Sequence, residues 1–128
     1  MKWNDLGNIT LLVAEDDKFN RKLISIMLSK NKKIRIIEAK DGREALILLD
    51  LKKMDALLLD IHMPNINGFE TLETIRKHKI HKKLPIIVIT SDEVEKKRSL
   101  SLGADAFLPK PFKRNELEDK VYNLLVKG

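Results

Sequence analysis

Five short apolar runs, each followed by a stretch of helical period, constrain this chain more than any other feature. The runs cover residues 9–14, 34–37, 56–59, 86–89 and 106–108, and are built from Ile, Leu, Val and Ala with one Phe, one Thr and one Arg. They are mostly continuous rather than alternating, the pattern of strands buried on both faces of a parallel sheet. Between them lie helical faces: Leu23, Ile24, Met27 and Leu28, then Ala45, Leu48 and Leu49, then Phe69, Leu72 and Ile75, and last Leu117, Val121, Leu124 and Leu125. The segment 92–103 has only a thin stripe of Val94, Leu100 and Leu102 among charges. It predicts a loosely held helix, with Ser91 or Asp92 as N-cap and Gly103 as its stop. A βα unit repeated five times, with right-handed crossovers, gives an α/β doubly wound fold with helices on both faces.

The length of 128 residues fits one domain with one core. Residues 1–8 are a polar lead-in that contains Trp3, and the domain is expected over 9–126. Apolar residues make up 43% and charged residues 34%, which excludes a disordered chain. There is no cysteine, so disulfides and thiolate metal sites are excluded. The first seven residues lack the apolar stretch of a signal peptide, and no run reaches membrane-spanning length. A cytoplasmic location with no membrane contact is expected.

An open parallel sheet binds ligands beyond the carboxyl ends of its strands, where strand order reverses. The first strand runs into Glu15, Asp16 and Asp17, the third into Asp60, the fourth into Thr90 and Ser91, and the fifth into Lys110. Acids, a hydroxyl and an amine therefore gather at one edge. Clustered carboxylates resist ionisation together, and a hard divalent cation such as Mg2+, or Mn2+, relieves them. A carboxylate beside such a cation is a competent nucleophile for phosphoryl transfer, with catalysis by positioning and charge neutralisation. The cation, Lys110 and Thr90 would each cover one oxygen of the transferred group. Taken singly, each residue has a plainer role: helix cap, turn aspartate or surface lysine.

The net charge of +6 raises the question of nucleic acid. Lys30, Lys32, Lys33, Lys52, Lys53, Arg76, Lys77, Lys79, Lys82 and Lys83 fall at or after predicted helix C-termini, at the end of the sheet opposite Asp60. Cations there complement helix dipoles and aid solubility. No aromatic residues interleave them and no further helix-turn-helix follows, so nucleic acid is not the expected partner.

The motifs "LLVAEDDKFNRKL", "AKDGREAL", "ALLLDIHMPNINGFE", "IIVITSDE" and "LGADAFLPKPF" resemble those of response regulator receiver domains, of the chemotaxis-regulator type. The resemblance runs from about Ile9 to Leu125. It implies a flavodoxin-like (βα)5 fold with a five-stranded sheet of order 2-1-3-4-5. It also implies that Asp60 is the phosphoacceptor of a two-component system. Asp16 and Asp60 would hold the metal directly, Glu15 through water, and His62 through its backbone carbonyl. Thr90 and Lys110 would stabilise the phosphoryl group. Thr90 and Phe107 would form the switch, and the Lys110–Pro111 bond would be cis. His62 is the main departure, since amide, small or acidic side chains are familiar at that position. Phe107 in place of tyrosine removes one hydroxyl. The donor would be a histidine kinase or a histidine phosphotransfer protein. A downstream protein would read the face formed by the fourth helix, fifth strand and fifth helix, and the chain would be a monomer or a phosphorylation-dependent dimer.

On this reading the protein is no turnover enzyme; it phosphorylates itself and slowly loses the group. An aspartyl-phosphate phosphatase is the alternative, but such proteins usually carry a second acid where His62 stands. A nucleotide-binding domain would need a Gly-rich loop where Glu15, Asp16 and Asp17 stand. The start at Met1 and the end after the fifth helix suit a stand-alone regulator, with a receiver module of a hybrid kinase as the other context.

Overall fold

The computed structural model describes residues 6–127. Trp3 and most of the lead-in therefore lie outside the described residues, whereas Leu6 packs on the core. The strands are β1 (Ile9–Ala14), β2 (Ile34–Ala39), β3 (Ala56–Asp60), β4 (Ile86–Thr90) and β5 (Ala106–Pro109). They alternate with α1 (Lys18–Ser29), α2 (Gly42–Leu51), α3 (Gly68–Lys77), α4 (Val94–Ser101) and α5 (Arg114–Lys127). All strands are parallel, in the order β2-β1-β3-β4-β5. The last four strands run one or two residues beyond their apolar stretches. Pairing carries the ladder on, so that Asp60 sits opposite Ile89 and Thr90 opposite Pro109.

The continuous apolar strands are explained by the two cores they serve. Successive side chains point to opposite faces. Leu11, Val13, Leu58, Ile87 and Ile89 pack with Ile24 and Leu28 of α1 and Leu117 and Val121 of α5. Leu12, Ala14, Leu57, Leu59, Ile86 and Val88 pack on the other side with Ala45 and Leu49 of α2 and Phe69, Leu72 and Ile75 of α3. The sheet is thus a shared wall, and neither helix layer could be shielded without it.

Polar side chains set the helix starts. Asp17 accepts from the Phe19 amide at 3.1 Å to open α1, and Asp41 accepts from the Glu44 amide at 2.8 Å to open α2. Asn67 and Glu70 form a reciprocal capping box at α3. The start of α4 differs from expectation. Glu93 occupies the capping position and makes no side-chain cap bond. Asp92 accepts instead from the Val94 amide at 2.9 Å, while its own amide donates to the Thr90 hydroxyl at 3.2 Å. That turn delays the helix by one residue. Val94 is exposed and Ser99 is the buried residue of α4, in keeping with the thin apolar stripe. Gly103, at φ +108°, ends the α4 region as the sequence predicts, with its amide donating to the Leu100 carbonyl.

Arg76 is more than one of a set of solvated cations. Its guanidinium donates to the carbonyls of Gly103 (2.8 Å) and Leu84 (2.7 Å), and to Asp105 (2.9 Å). Asp105 also accepts from the Ile86 amide at 2.8 Å. The end of α3 is thereby tied to the turns before β4 and β5.

Gly68 lets α3 start against the end of β3. Its amide donates to the Ile61 carbonyl at 2.9 Å. An added Cβ would collide with the Asp60 carbonyl oxygen and stand 2.6 Å from Ile61 Cα, both backbone atoms that cannot rotate away. Gly68→Ala is therefore expected to destabilise the protein by about 1–3 kcal/mol in urea unfolding. An unchanged midpoint would mean that α3 can withdraw from β3 without loss.

Candidate functional site

The carboxyl ends of β1, β3, β4 and β5 bring together most of the residues singled out in the sequence. Glu15, Asp16 and Asp60 each place a carboxylate oxygen within 4.8 Å of the others. Glu15 and Asp60 are buried, at 2% and 4% exposure, and Asp16 is open to solvent. Lys110 reaches in from the end of β5. Its Nζ donates to Glu15 Oε1 at 2.7 Å and stands 3.6 Å from Asp60 Oδ1. The peptide bond between Lys110 and Pro111 is cis. Asp17 is turned to helix capping, and its amide donates to Glu15 Oε2 at 3.1 Å.

One ammonium among three carboxylates leaves an excess of negative charge. Burial pushes the Asp60 carboxyl up, the Glu15 charge adds to this, and Lys110 offsets part, leaving Asp60 at about 7. Burial also acts to raise Glu15, but the Lys110 hydrogen bond and charge outweigh it and hold Glu15 below its ordinary value. Asp16 is raised by burial and by Glu15. Burial would lower Lys110, but its hydrogen bond to Glu15 and the Asp60 charge raise it. The donor set is all oxygen, from carboxylates that repel one another, and it suits a hard divalent cation.

Thr90 is fully buried at the end of β4. Its hydroxyl donates to Glu95 Oε1 on α4 at 2.8 Å, so it is engaged away from the carboxylates. His62 follows two residues after Asp60, and its Nε2 lies 2.8 Å from the same Glu95 oxygen. Phe107 is buried in the core beside α3, with Lys96 Nζ 5.9 Å from its ring centre. Sequence reasoning did not single out Glu95. It reads as one more charge in a polar helix, and only its place one turn above Thr90 could have marked it. Glu38 of β2 holds α1 in place: Arg21, Lys22 and Ser25 all bond to it within 3.2 Å.

Among the described residues, no helix is long and apolar enough to cross a membrane.

This arrangement has clear relatives. The family model for the response regulator receiver domain matches residues 11–122. The transcriptional regulatory protein CpxR of Escherichia coli is 37% identical over 117 residues, which span 90% of this chain and 48% of CpxR. The chain thus spans about half the length of that relative. The receiver domain of Francisella response regulator 1452 is 33% identical with a TM-score of 0.85, covering 94% of this chain and 98% of that one. The receiver domain of sensor histidine kinase PA1611 from Pseudomonas aeruginosa is 27% identical, also at a TM-score of 0.85, and covers 93% of this chain and 98% of that one. It is described with a magnesium ion coordinated in its active site cleft. On its sequence and its fold, this chain belongs to the response regulator receiver domains of two-component signalling.

Proposed function

We propose that the chain receives a phosphoryl group on Asp60 from a phosphohistidine of a partner kinase or histidine phosphotransfer protein. The observation that carries this reading is the buried Asp60 carboxylate beside Glu15, Asp16 and Lys110. The P–N bond of the donor breaks as a P–O bond to Asp60 forms. Asp16 and Asp60, Glu15 through water and the His62 carbonyl would hold a magnesium or manganese ion, which would supply positive charge to let the carboxylates ionise and to neutralise the incoming group. Lys110 pairs with a second phosphoryl oxygen, at the cost of its short bond to Glu15. Thr90 turns its hydroxyl from Glu95 to a third oxygen.

The output follows from that turn. When Thr90 leaves Glu95, α4 loses a bond at its first turn, and space opens for Phe107 to move. A downstream protein then reads the α4-β5-α5 face, as a partner of a monomer or of a phosphorylation-dependent dimer. The domain works in the cytoplasm as a switch with weak self-catalysed chemistry, not as a turnover enzyme. The similarity to the receiver domains of a response regulator and of a sensor histidine kinase supports both a response-regulator and a hybrid-kinase context.

Incubation with acetyl phosphate and magnesium, followed by mass spectrometry, tests the assignment. The wild type should gain one phosphoryl group, Asp60→Asn none, and EDTA should abolish uptake. Uptake that persists in Asp60→Asn would place the acceptor elsewhere.

Charge crowding predicts a second result, in the absence of divalent cations. Folding raises the Asp60 pKa from near 4 to about 7, so the folded state binds that proton more tightly. Stability should therefore fall as pH rises through this window. Asp60→Asn should be more stable than wild type at pH 8 by about 4 kcal/mol in urea, with the difference vanishing below pH 4. Magnesium should shrink it at pH 8.

The Thr90–Glu95 bond predicts a third. Glu95→Ala frees Thr90 and should speed uptake from acetyl phosphate by roughly threefold or more, since such a bond is worth about 1 kcal/mol. An unchanged or slower rate would show that Glu95 does not restrain the switch.

A further inference from the structure

A second convergence of ligating groups lies at the opposite, basic end of the sheet, outside the site described above. Asp50 stands in the last turn of α2, His78 directly follows the last residue of α3, and His81 follows in the loop that leads to β4. His81 Nε2 is 3.0 Å from Asp50 Oδ1, and His78 Nε2 is 3.9 Å from the same oxygen. The two imidazole rings stack with centroids 4.4 Å apart, and one ligand atom from each of the three residues lies within 4.8 Å of the others. Asp50 is exposed and the histidines are partly so, which leaves a face open to water.

We propose that Asp50, His78 and His81 form a binding site for a borderline divalent transition metal, zinc above all, with water completing its shell. Two imidazoles and one carboxylate favour zinc, nickel or copper over magnesium or calcium. The C-terminal ends of α2 and α3 both point their negative dipole ends at this place. Lys52, Lys53 and Lys83 border the adjoining groove. Their charge keeps a loosely attracted cation away, so the metal is held by directed coordination rather than by a general field. At the usual ligand distances of about 2 Å, two donors of one tetrahedral ion stand roughly 3.3 Å apart. The Asp50–His81 pair is already near that separation, and His78 needs to close by about half an ångström.

His78 gives the site a distinctive signature. Its Nδ1 accepts from the Ile80 amide at 3.1 Å, which leaves the proton of the neutral ring on Nε2, facing Asp50. A metal on Nε2 moves that proton to Nδ1, and the Ile80 amide must let go. Metal binding therefore joins α2 to the α3–β4 loop and releases one loop amide.

Zinc titration of the whole chain, followed by calorimetry and by amide NMR in excess magnesium, tests this. Zinc should shift the Ile80 amide and the ring signals of His78 and His81. Asp50→Asn and His81→Gln should each weaken the binding that produces these shifts by at least about tenfold, the low end of what even outer-shell partners cost. Asp50 is exposed, so Asp50→Asn tests the ligand without endangering the core. Zinc that leaves the Ile80 amide unmoved, or that binds both variants as it binds wild type, would overturn the assignment.

Discussion

Among the described residues, Lys110 is the only cation paired with the carboxylates of a cup of three, and the rest of the site is organised around that imbalance. Its bond to Glu15 at 2.7 Å satisfies the more deeply buried acid. Asp60, at 3.6 Å, is left partly compensated, and its carboxyl rises to about 7. A second lysine would offset the excess negative charge of the cup. The site is poised because the protein supplies too little positive charge of its own.

The sheet makes that poise possible. Glu15, Asp60, Thr90 and Lys110 come from distant parts of the chain, and each sits at or next to the end of a strand. β1, β3 and β4, held in register by neighbours on both sides and packed on both faces, leave little freedom for their last residues, while β5 at the edge is held by β4. Gly68 adds to this by letting α3 close on the peptide that follows Asp60. The strand ends are rigid, whereas α4 is weakly anchored.

Much of this was legible in the sequence, because strand ends are a backbone property. The apolar runs, the order of elements and the gathering of Glu15, Asp16, Asp60, Thr90 and Lys110 follow from periodicity and crossover handedness. What was illegible depends on side chains that meet across elements. Arg76 looks like a dipole-complementing cation, yet it is spent on the carbonyls of Gly103 and Leu84. Glu95 looks like a solvated charge, yet it holds Thr90 and His62 on one oxygen. Asp50 and His81 lie 31 positions apart, and no local pattern announces their contact. The α4 start falls past both Ser91 and Asp92 because Asp92 is drawn into a turn with Thr90.

The Arg76 staple also determines how α4 can travel. The turn after α4 is pinned through Gly103 and Asp105 to the end of α3. Its opening turn gets no cap bond from the Glu93 side chain and leans on Thr90 through Glu95. A rod fastened at its far end and latched at its near end swings like a door on a hinge. Any displacement of α4 would then be largest beside the carboxylate cup and smallest at the turn into β5, a tilt rather than a slide.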